Sequence, residues 1–388
     1  MDFSFTPEQF AIRDSVAKLC ERFDATYWLE RDRDGGFPDD FHRAIADAGW
    51  LGIAMPAEHG GAGLGITEAA LMMQTISESG AGFSGASAVH MNIFGLYPVV
   101  VFGTEEQKRR ILPPLIAGKE KACFAVTEPN TGLDTTRLKT KAVRSGNGYA
   151  VHGQKIWIST AQVADRVLLL ARTTPLEEVK KRTEGLSLFY TALDRKYVEA
   201  RVIDKMGRKA VDSNQLFFDG LPVPLEDRIG EEGKGFEYIL HGMNPERILV
   251  AAEAVGIGRA ALARATRYAK ERIVFGRPIG QNQAIQHPLA KCWMELEAAQ
   301  LMVLKAAQLY DTGQPCGIEA NAAKYLGAEA GFTACETAVL THGGMGYAKE
   351  FHVERLLREV MIARIAPVSR ELVLCNIAEK ALGLPKSY

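Results

Sequence analysis

From Thr6 to about Lys121 apolar side chains return three or four positions apart, as at Phe10, Ile12, Val16, Leu19 and Phe23. That spacing predicts helices with one buried stripe. Thr6, Pro7 and Glu8 provide a helix start, and glycine-rich breaks at 58–65 and 80–85 divide the region into several helices. The last of these is expected to end near LPPLIAGKEK. Between about Ala122 and Asp227 the pattern changes to short apolar runs rich in β-branched and aromatic residues: YAVHGQKIWIS, RVLLLAR, GLSLFYTAL and QLFFDGLPVP. These predict strands, with His152-Gly153 as a hairpin turn inside the first run. From Gly235 the helical period returns in Ala-rich segments, roughly Pro245 to Arg272, Ala284 to Tyr310, Ile318 to Thr341 and Glu350 to Leu382, which predict a four-helix bundle. The expected class is α+β, with an N-terminal helical domain (1–121), a middle β-barrel-like domain (122–232) and a C-terminal bundle (233–388).

With 388 residues and 47% hydrophobic composition, the chain has enough apolar surface to fill two or three cores. Lys and Arg total 46 against 47 for Asp and Glu, so no overall field attracts nucleic acid or an anionic membrane. The six cysteines form neither CxxC pairs nor a disulfide framework, which favours a reduced, cytoplasmic interior. Met1 to Phe5 is acidic before it is apolar, unlike a secretory leader or a transit peptide. No uncharged run reaches the ~18 residues of a membrane span.

Several patterns with a chemical look read better as structure. GIGRAA (Gly256 to Ala261) lacks the preceding strand of a dinucleotide loop, so its small residues are expected to serve close helix packing. GEEGKG (Gly230 to Gly235) lacks the Ser or Thr of a P-loop and reads as a turn into a helix. His59-Gly60-Gly61 has no GxSxG partner and is expected in a surface loop. The eight histidines show no metal-ligand spacing, so no metal is expected. At Asn244-Pro245 two readings stand: a helix capped by Asn244, or a continuous helix from near Gly235 kinked by Pro245.

CFAVTEPNTGLD (Cys123 to Asp134) followed by GQKIWIST (Gly153 to Thr160) resembles the flavin-binding signature of the acyl-CoA dehydrogenase family. The resemblance continues through KERIVFGRPIGQNQAIQ (Lys270 to Gln286) and THGGMGY (Thr341 to Tyr347) to the last helix. It implies FAD as cofactor. A flavin needs hydrogen-bond donors along its pyrimidine edge and N5, and an apolar cover over one ring face. Thr127 and Ser159 suit the donors and Trp157 the cover, with Phe124, Val126 and Ile158 beside them, although Trp157 alone would read as an inward strand residue. The resemblance carries contacts to the adenosine diphosphate half, from a neighbouring subunit, onto Arg272, Phe275 and Gln283. Arginine suits a pyrophosphate through its planar fork. Leu340, Gly343, Gly344, Ser369 and Glu371 fall on further cofactor positions.

The implied reaction removes the α proton of an acyl-CoA and sends the β hydrogen to flavin as hydride, giving a trans-2-enoyl-CoA. Many relatives keep the base in a turn before the last helix, where this chain has Ala366-Pro367-Val368. In the branch resembling isovaleryl-CoA and long-chain acyl-CoA dehydrogenases the acid lies on the first bundle helix. There Met243-Asn244-Pro245-Glu246-Arg247 aligns, so Glu246 is the expected base and Arg247 its geometric partner. Leu133, Met243, Asn244, Ala366 and Pro367 fall on substrate-side positions. Pro367 lacks the backbone N–H that relatives turn towards the thioester, and Leu133 and Leu340 replace a usual serine and glutamine. The resemblance further implies a homotetramer that passes electrons to an electron-transfer flavoprotein. Two other readings remain at this level: a flavoenzyme of the same fold with monooxygenase or desulfinase chemistry, and a non-catalytic interaction protein.

Overall fold

The computed structural model describes residues 4–387, without the side chains of Asn92 and Phe94. Met1 to Phe3, part of the leader argument, lie outside the described residues. The chain begins with helices α1 (Pro7–Cys20), α2 (Ala25–Asp34), α3 (Asp39–Asp47), α4 (Ile66–Ile76), α5 (Gly82–Phe94), α6 (Tyr97–Phe102) and α7 (Glu105–Ile116). The α1 start is the expected one. Thr6 Oγ accepts from the Gln9 amide at 3.2 Å, Gln9 Oε1 accepts from the Thr6 amide at 3.1 Å, and Pro7 fills the first helical position. His59 is a correction: it lies buried in a short 3-10 turn, with Nε2 3.8 Å from the Glu105 carboxylate.

Strands β1 (Ala122–Ala125), β2 (Lys141–Ser145), β3 (Gly148–Ser159), β4 (Arg166–Arg172), β5 (Leu186–Ala192), β6 (Val198–Val202), β7 (Ser213–Pro224) and β8 (Arg228–Ile229) form the central sheet. Their order is β6-β7-β3-β2-β4-β5-β8, with β1 parallel to β4. Leu168 and Leu170 of β4 pack with Leu112 and Leu115 of α7, while Val167 and Leu169 face Tyr149, Phe189 and Leu216 on the other side. Both faces of β4 are therefore buried, which accounts for its continuous apolar run. The hairpin turn expected at His152-Gly153 is instead at Gly146-Asn147, because Ser145 pairs with Gly148 across a two-residue connection. Gly146 has φ +56°, which a two-residue hairpin turn favours. Strand β3 runs on through His152, and a register shift against β7 absorbs the irregularity.

The C-terminal part comprises α8 (Gly235–His241), α9 (Met243–Glu271), the short pair β9 (Ile273–Val274) and β10 (Arg277–Pro278), then α10 (Gln283–Asp311), α11 (Gly317–His342), α12 (Val353–Ile365) and α13 (Arg370–Lys380). At Asn244-Pro245 the outcome lies close to the second form and excludes Asn244 as a cap. The helix begins at Gly235 and is interrupted only at Gly242, which keeps helical angles (φ −78°, ψ −13°), because Pro245, the third residue of α9, has no N–H to return to the His241 carbonyl. The single last helix is also corrected. Ala366 turns extended (φ −120°, ψ 158°) ahead of Pro367, which disfavours helix in the residue before it, and Ser369 caps a new helix through the Leu372 amide.

Helix α9 lies at the centre, with Ile248 and Leu249 packed against α4 and α10 side chains such as Ile66, Met72 and Val303. Each such fully buried aliphatic side chain contributes about 1.5–3 kcal/mol. GIGRAA lies within α9, as expected. A Cβ on Gly256 would lie 2.3 Å from the Gln74 carbonyl oxygen, and one on Gly258 would lie 2.9 Å from Gly331 Cα. These close crossings fix the direction in which α9 presents its first turns.

Candidate active site

The two motif stretches meet at one edge of the sheet. The Ile156 amide donates to the Thr127 carbonyl at 2.9 Å, which sets Val126-Thr127-Glu128 beside the end of β3. Fully buried Lys155 holds the join: Nζ donates to the Val126 carbonyl at 2.9 Å and to Glu128 Oε1 at 3.0 Å. Glu128 also accepts from the amides of Lys139 (2.7 Å) and Thr140 (2.8 Å). Burial pushes the Lys155 ammonium down to about 8 against the pull of Glu128. Burial alone would raise the Glu128 carboxyl, but Lys155 and the two amides hold it below the ordinary range, so the pair is ionic at neutral pH.

Trp157 leaves the strand pattern. The β3–β7 register slips between Lys155 and Ile158, and Trp157 takes φ +64°, a rare conformation for a bulky residue. The bulge turns its indole outward, 56% exposed, while Ile158 stays buried. Next to it, Ser159 Oγ accepts from Arg208 Nη2 at 3.1 Å, and Arg208 Nη1 reaches Ser87 Oγ of α5 at 3.1 Å.

On α9, Glu246 is buried and its Oε2 meets His90 Nε2 of α5 in a short contact. The other imidazole nitrogen, Nδ1, lies 2.5 Å from Oε1 of Glu253. Burial alone would push His90 down, but the two carboxylates reverse this and raise it to about 10. Burial raises Glu253, with His90 opposing. Arg247 folds back on its own turn, donating from Nη1 to the Met243 carbonyl (3.1 Å) and Asn244 Oδ1 (3.2 Å). The turn containing Ala366 and Pro367 is tied to α11 through Lys324 Nζ, which donates to the Val368 carbonyl at 2.6 Å. Burial, then the nearby Arg247 charge, brings Lys324 down to about 8. A cavity of about 420 Å³, lined in part by Arg13, Cys20, Thr75 and Arg259, includes none of these groups.

Models of the acyl-CoA dehydrogenase N-terminal, middle and C-terminal domains match residues 6–119, 123–221 and 233–382. Acyl-CoA dehydrogenase FadE12 of Mycobacterium tuberculosis is 37% identical, over 100% of both chains. This chain belongs to the acyl-CoA dehydrogenase family. The butyryl-CoA dehydrogenase structure from Megasphaera elsdenii superimposes with TM-score 0.93 at 30% identity, covering 99% of this chain and 100% of that one. An FAD complex of PigA gives 0.92 at 26%, over 99% and 100%. As a family member the chain is an FAD-dependent oxidoreductase acting on acyl-CoA thioesters.

This acyl-CoA dehydrogenase has surfaces that fit a flavin dinucleotide. The outward indole of Trp157 stands beside half-buried Thr127 and Ser159, and Phe124, on β1, packs against the core that Leu112 and Leu115 share with Leu168 and Leu170. At the far end of α9, Arg272 is exposed and no ion pair to it is recorded among the described residues; Phe275 is fully exposed and Gln283 is exposed at the start of α10. Leu340 is exposed near the end of α11. Gly343 (φ +60°) and Gly344 follow, and a Cβ on either would meet nothing within 4 Å, so backbone there is open to close approach. Leu133 is exposed, Ser369 caps α13, and Glu371 pairs with Arg370 at 3.3 Å.

The structure thus groups Val126, Thr127, Trp157, Ile158 and Ser159, and separately Met243, Asn244, Glu246 and Arg247. It keeps Arg272 away from both ends of that second group. Arg272 lies 26 residues beyond Glu246 (272 − 246), about 39 Å along α9 at 1.5 Å per residue. Sequence reasoning missed Lys155, Glu128, His90, Glu253 and Arg208. The available signals were Glu246 and Glu253, seven apart on one helical face, and a lone histidine in the apolar run ASAVHMNIF.

Proposed function

We propose that Glu246 is the base of this acyl-CoA dehydrogenase. It removes the α proton of an acyl-CoA as the β hydrogen leaves as hydride, and the product is a trans-2-enoyl-CoA. One observation supports the reading: a buried carboxylate on the first long bundle helix coincides with a turn at 366–369 that contains no acidic residue. FAD, when bound, accepts the hydride. Trp157 covers one ring face, Thr127 and Ser159 donate to the ring edge, and Val126, Ile158 and Phe124 back the strands that carry them. Arg247 holds the first turn of α9 through Met243 and Asn244, keeping Glu246 in its direction. Leu133, Ala366 and Pro367 border the acyl-CoA, and Ser369 and Glu371 border the cofactor.

The distance from Glu246 to Arg272 supports a dinucleotide shared between subunits. In this proposal Arg272, Phe275 and Gln283 reach the adenosine diphosphate half of a partner's FAD, with Leu340, Gly343 and Gly344 beside it, in a homotetramer. The exposed Ile273, Phe275, Leu340 and Tyr347 supply apolar surface for that contact. We place the enzyme in the cytoplasm, divide it at 121/122 and 232/233, and assign an electron-transfer flavoprotein as its acceptor. Free cysteines support the first of these, and among the described residues no helix is long and apolar enough to cross a membrane.

The test is Glu246→Gln, mixed anaerobically with straight-chain and branched acyl-CoA thioesters while oxidised-flavin absorption is followed. General-base loss lowers rates by about 10²–10⁴-fold, so bleaching is expected to slow by that factor with FAD still bound. A variant that keeps its FAD and bleaches at the parental rate removes Glu246 from the role.

A further inference from the structure

Buried at the bundle surface, Glu246 faces a problem that its role as base does not solve. Desolvation favours the protonated acid, yet a base must be ionised before it meets the substrate. The residues around it supply an answer. Glu253 lies two turns along α9 on the same face, and α5 places His90 between the two carboxylates, one at each ring nitrogen. All three side chains are nearly inaccessible, His90 and Glu246 at 8% and Glu253 at 1%. An imidazole donates from both nitrogens only when it is protonated, and ionised carboxylates only accept. With one carboxyl group at each ring nitrogen, and the pair of them raising the imidazole to about 10, the arrangement reads as carboxylate, imidazolium, carboxylate.

The surrounding charge fits this assignment. From the loop between β6 and β7, Arg208 anchors to Ser87 of α5 and Ser159 of β3 and acts electrostatically on Glu253, Glu359, Asp212 and Glu246. Arg247 flanks Glu246 on α9. Glu359 of α12 is engaged separately, by Ser84 and Arg355. Glu246 and Glu253 thus face His90, Arg208 and Arg247, and among the described residues His90 is the cation in direct contact with both.

We infer that His90 is the positioning residue of the base: it clamps Oε2 of Glu246, holds that carboxylate ionised before catalysis, and leaves Oε1 to take the substrate's α proton. This rests on the reading of Glu246 as base. When the α C–H bond breaks, its proton forms an O–H bond at Oε1, Glu246 becomes neutral, and His90 keeps its own proton against Glu253. Glu253 has a distinct part. By drawing on the same imidazolium it limits how strongly Glu246 is stabilised as an anion, so the carboxylate remains basic enough to act.

The two partners of His90 predict shifts of opposite sign. In His90→Gln the cation is gone, so the acid limb of kcat/KM for flavin reduction moves to higher pH by about one unit or more, and activity lost at neutral pH returns as pH rises. In Glu253→Gln the imidazolium serves Glu246 alone, so the limb moves to lower pH and the plateau rate falls. The experiment is anaerobic stopped-flow on the FAD-loaded full chain, across pH, with the acyl-CoA that reduces the parent fastest. Exchange of that thioester's α hydrogens with solvent deuterium, which reports proton removal separately from hydride departure, is expected to move in parallel. Opposed limb shifts support the inference. A His90→Gln enzyme slowed equally at every pH, or two variants that shift the limb the same way, would overturn it. If His90→Gln does not fold, Glu253→Gln decides alone: an unmoved limb rejects the arrangement. Glu246→Gln separates the two levels. If it retains parental reduction the base reading fails and this one with it; if it is inactive while the His90 and Glu253 limbs stay fixed, only the positioning role fails.

Discussion

Replacing Lys155 with Met tests whether the Val126-Thr127-Glu128 loop is held by a buried charge. Lys155 is fully inaccessible and has two acceptors, the Val126 carbonyl and Glu128. Methionine keeps most of the volume and removes the ammonium. Removing one partner of a buried ion pair costs about 3–5 kcal/mol because the other charge stays behind. Here Glu128 keeps the Lys139 and Thr140 amides, which points to the lower end, about 3 kcal/mol. The lost donor to Val126 adds about 1 kcal/mol. About 4 kcal/mol is a large share of the roughly 5–15 kcal/mol by which folded proteins are stable. The loss falls where Thr127 meets Ile156, so FAD retention should drop along with stability. The assay pairs urea unfolding with absorbance of flavin retained after gel filtration. The double variant Lys155→Met with Glu128→Gln removes both charges, but the Lys139 and Thr140 amides meet different carboxylate oxygens and the glutamine oxygen serves only one of them, so it should recover part of the loss, remaining about 2 kcal/mol below the parent. A Lys155→Met protein with parental urea midpoint and parental flavin content, or a double variant worse than the sum of its singles, would refute the reasoning.

Burial, aided by Lys121 and opposed by Asp39, holds His42 down to about 4. The unfolded chain therefore takes up this proton first as pH falls below about 6.5, and stability present at neutral pH is lost between there and about 4; by pH 5 the loss from this group is about 2 kcal/mol. Urea midpoints at the two pH values should fall less in His42→Gln, and an unchanged drop would count against it. Gly256→Ala places a methyl 2.3 Å from the Gln74 carbonyl oxygen, so a loss of about 1–3 kcal/mol or more is expected by thermal unfolding. Trp157→Gly should relieve about 1 kcal/mol of strain at φ +64° while weakening FAD binding, so an apoprotein at least as stable as the parent combined with faster flavin loss is the expected pair of results.

Much of the fold is legible from local pattern. The Thr6-Pro7 start, the doubly buried run of β4 and the small residues of α9 each follow from spacing or from the chemistry of one residue. Where the reading slipped, a non-local pairing prevailed. His152-Gly153 resembles a turn until β7 pairs along both sides of it, and the hairpin closes at Gly146-Asn147 instead. The final helix has the periodicity of one segment, yet Pro367 forces Ala366 extended and divides it. Glu246 could be singled out by its place on the first bundle helix, but the groups that contact it or lie near it, His90, Glu253 and Arg208, could not.

The sequence by itself determined the succession of helices, strands and helices, and the family with its two motif stretches at Cys123 to Asp134 and Gly153 to Thr160, because periodicity and contiguous motifs are properties of neighbours along the chain. Tertiary structure alone decided that His90 stands between Glu246 and Glu253, that Arg208 joins Ser87 to Ser159, and that Lys155 is buried against Glu128. Those pairs are separated by up to 163 residues, and their protonation is set by burial and opposing charge. Neither exists until the α5, α9 and β-sheet surfaces have closed on one another.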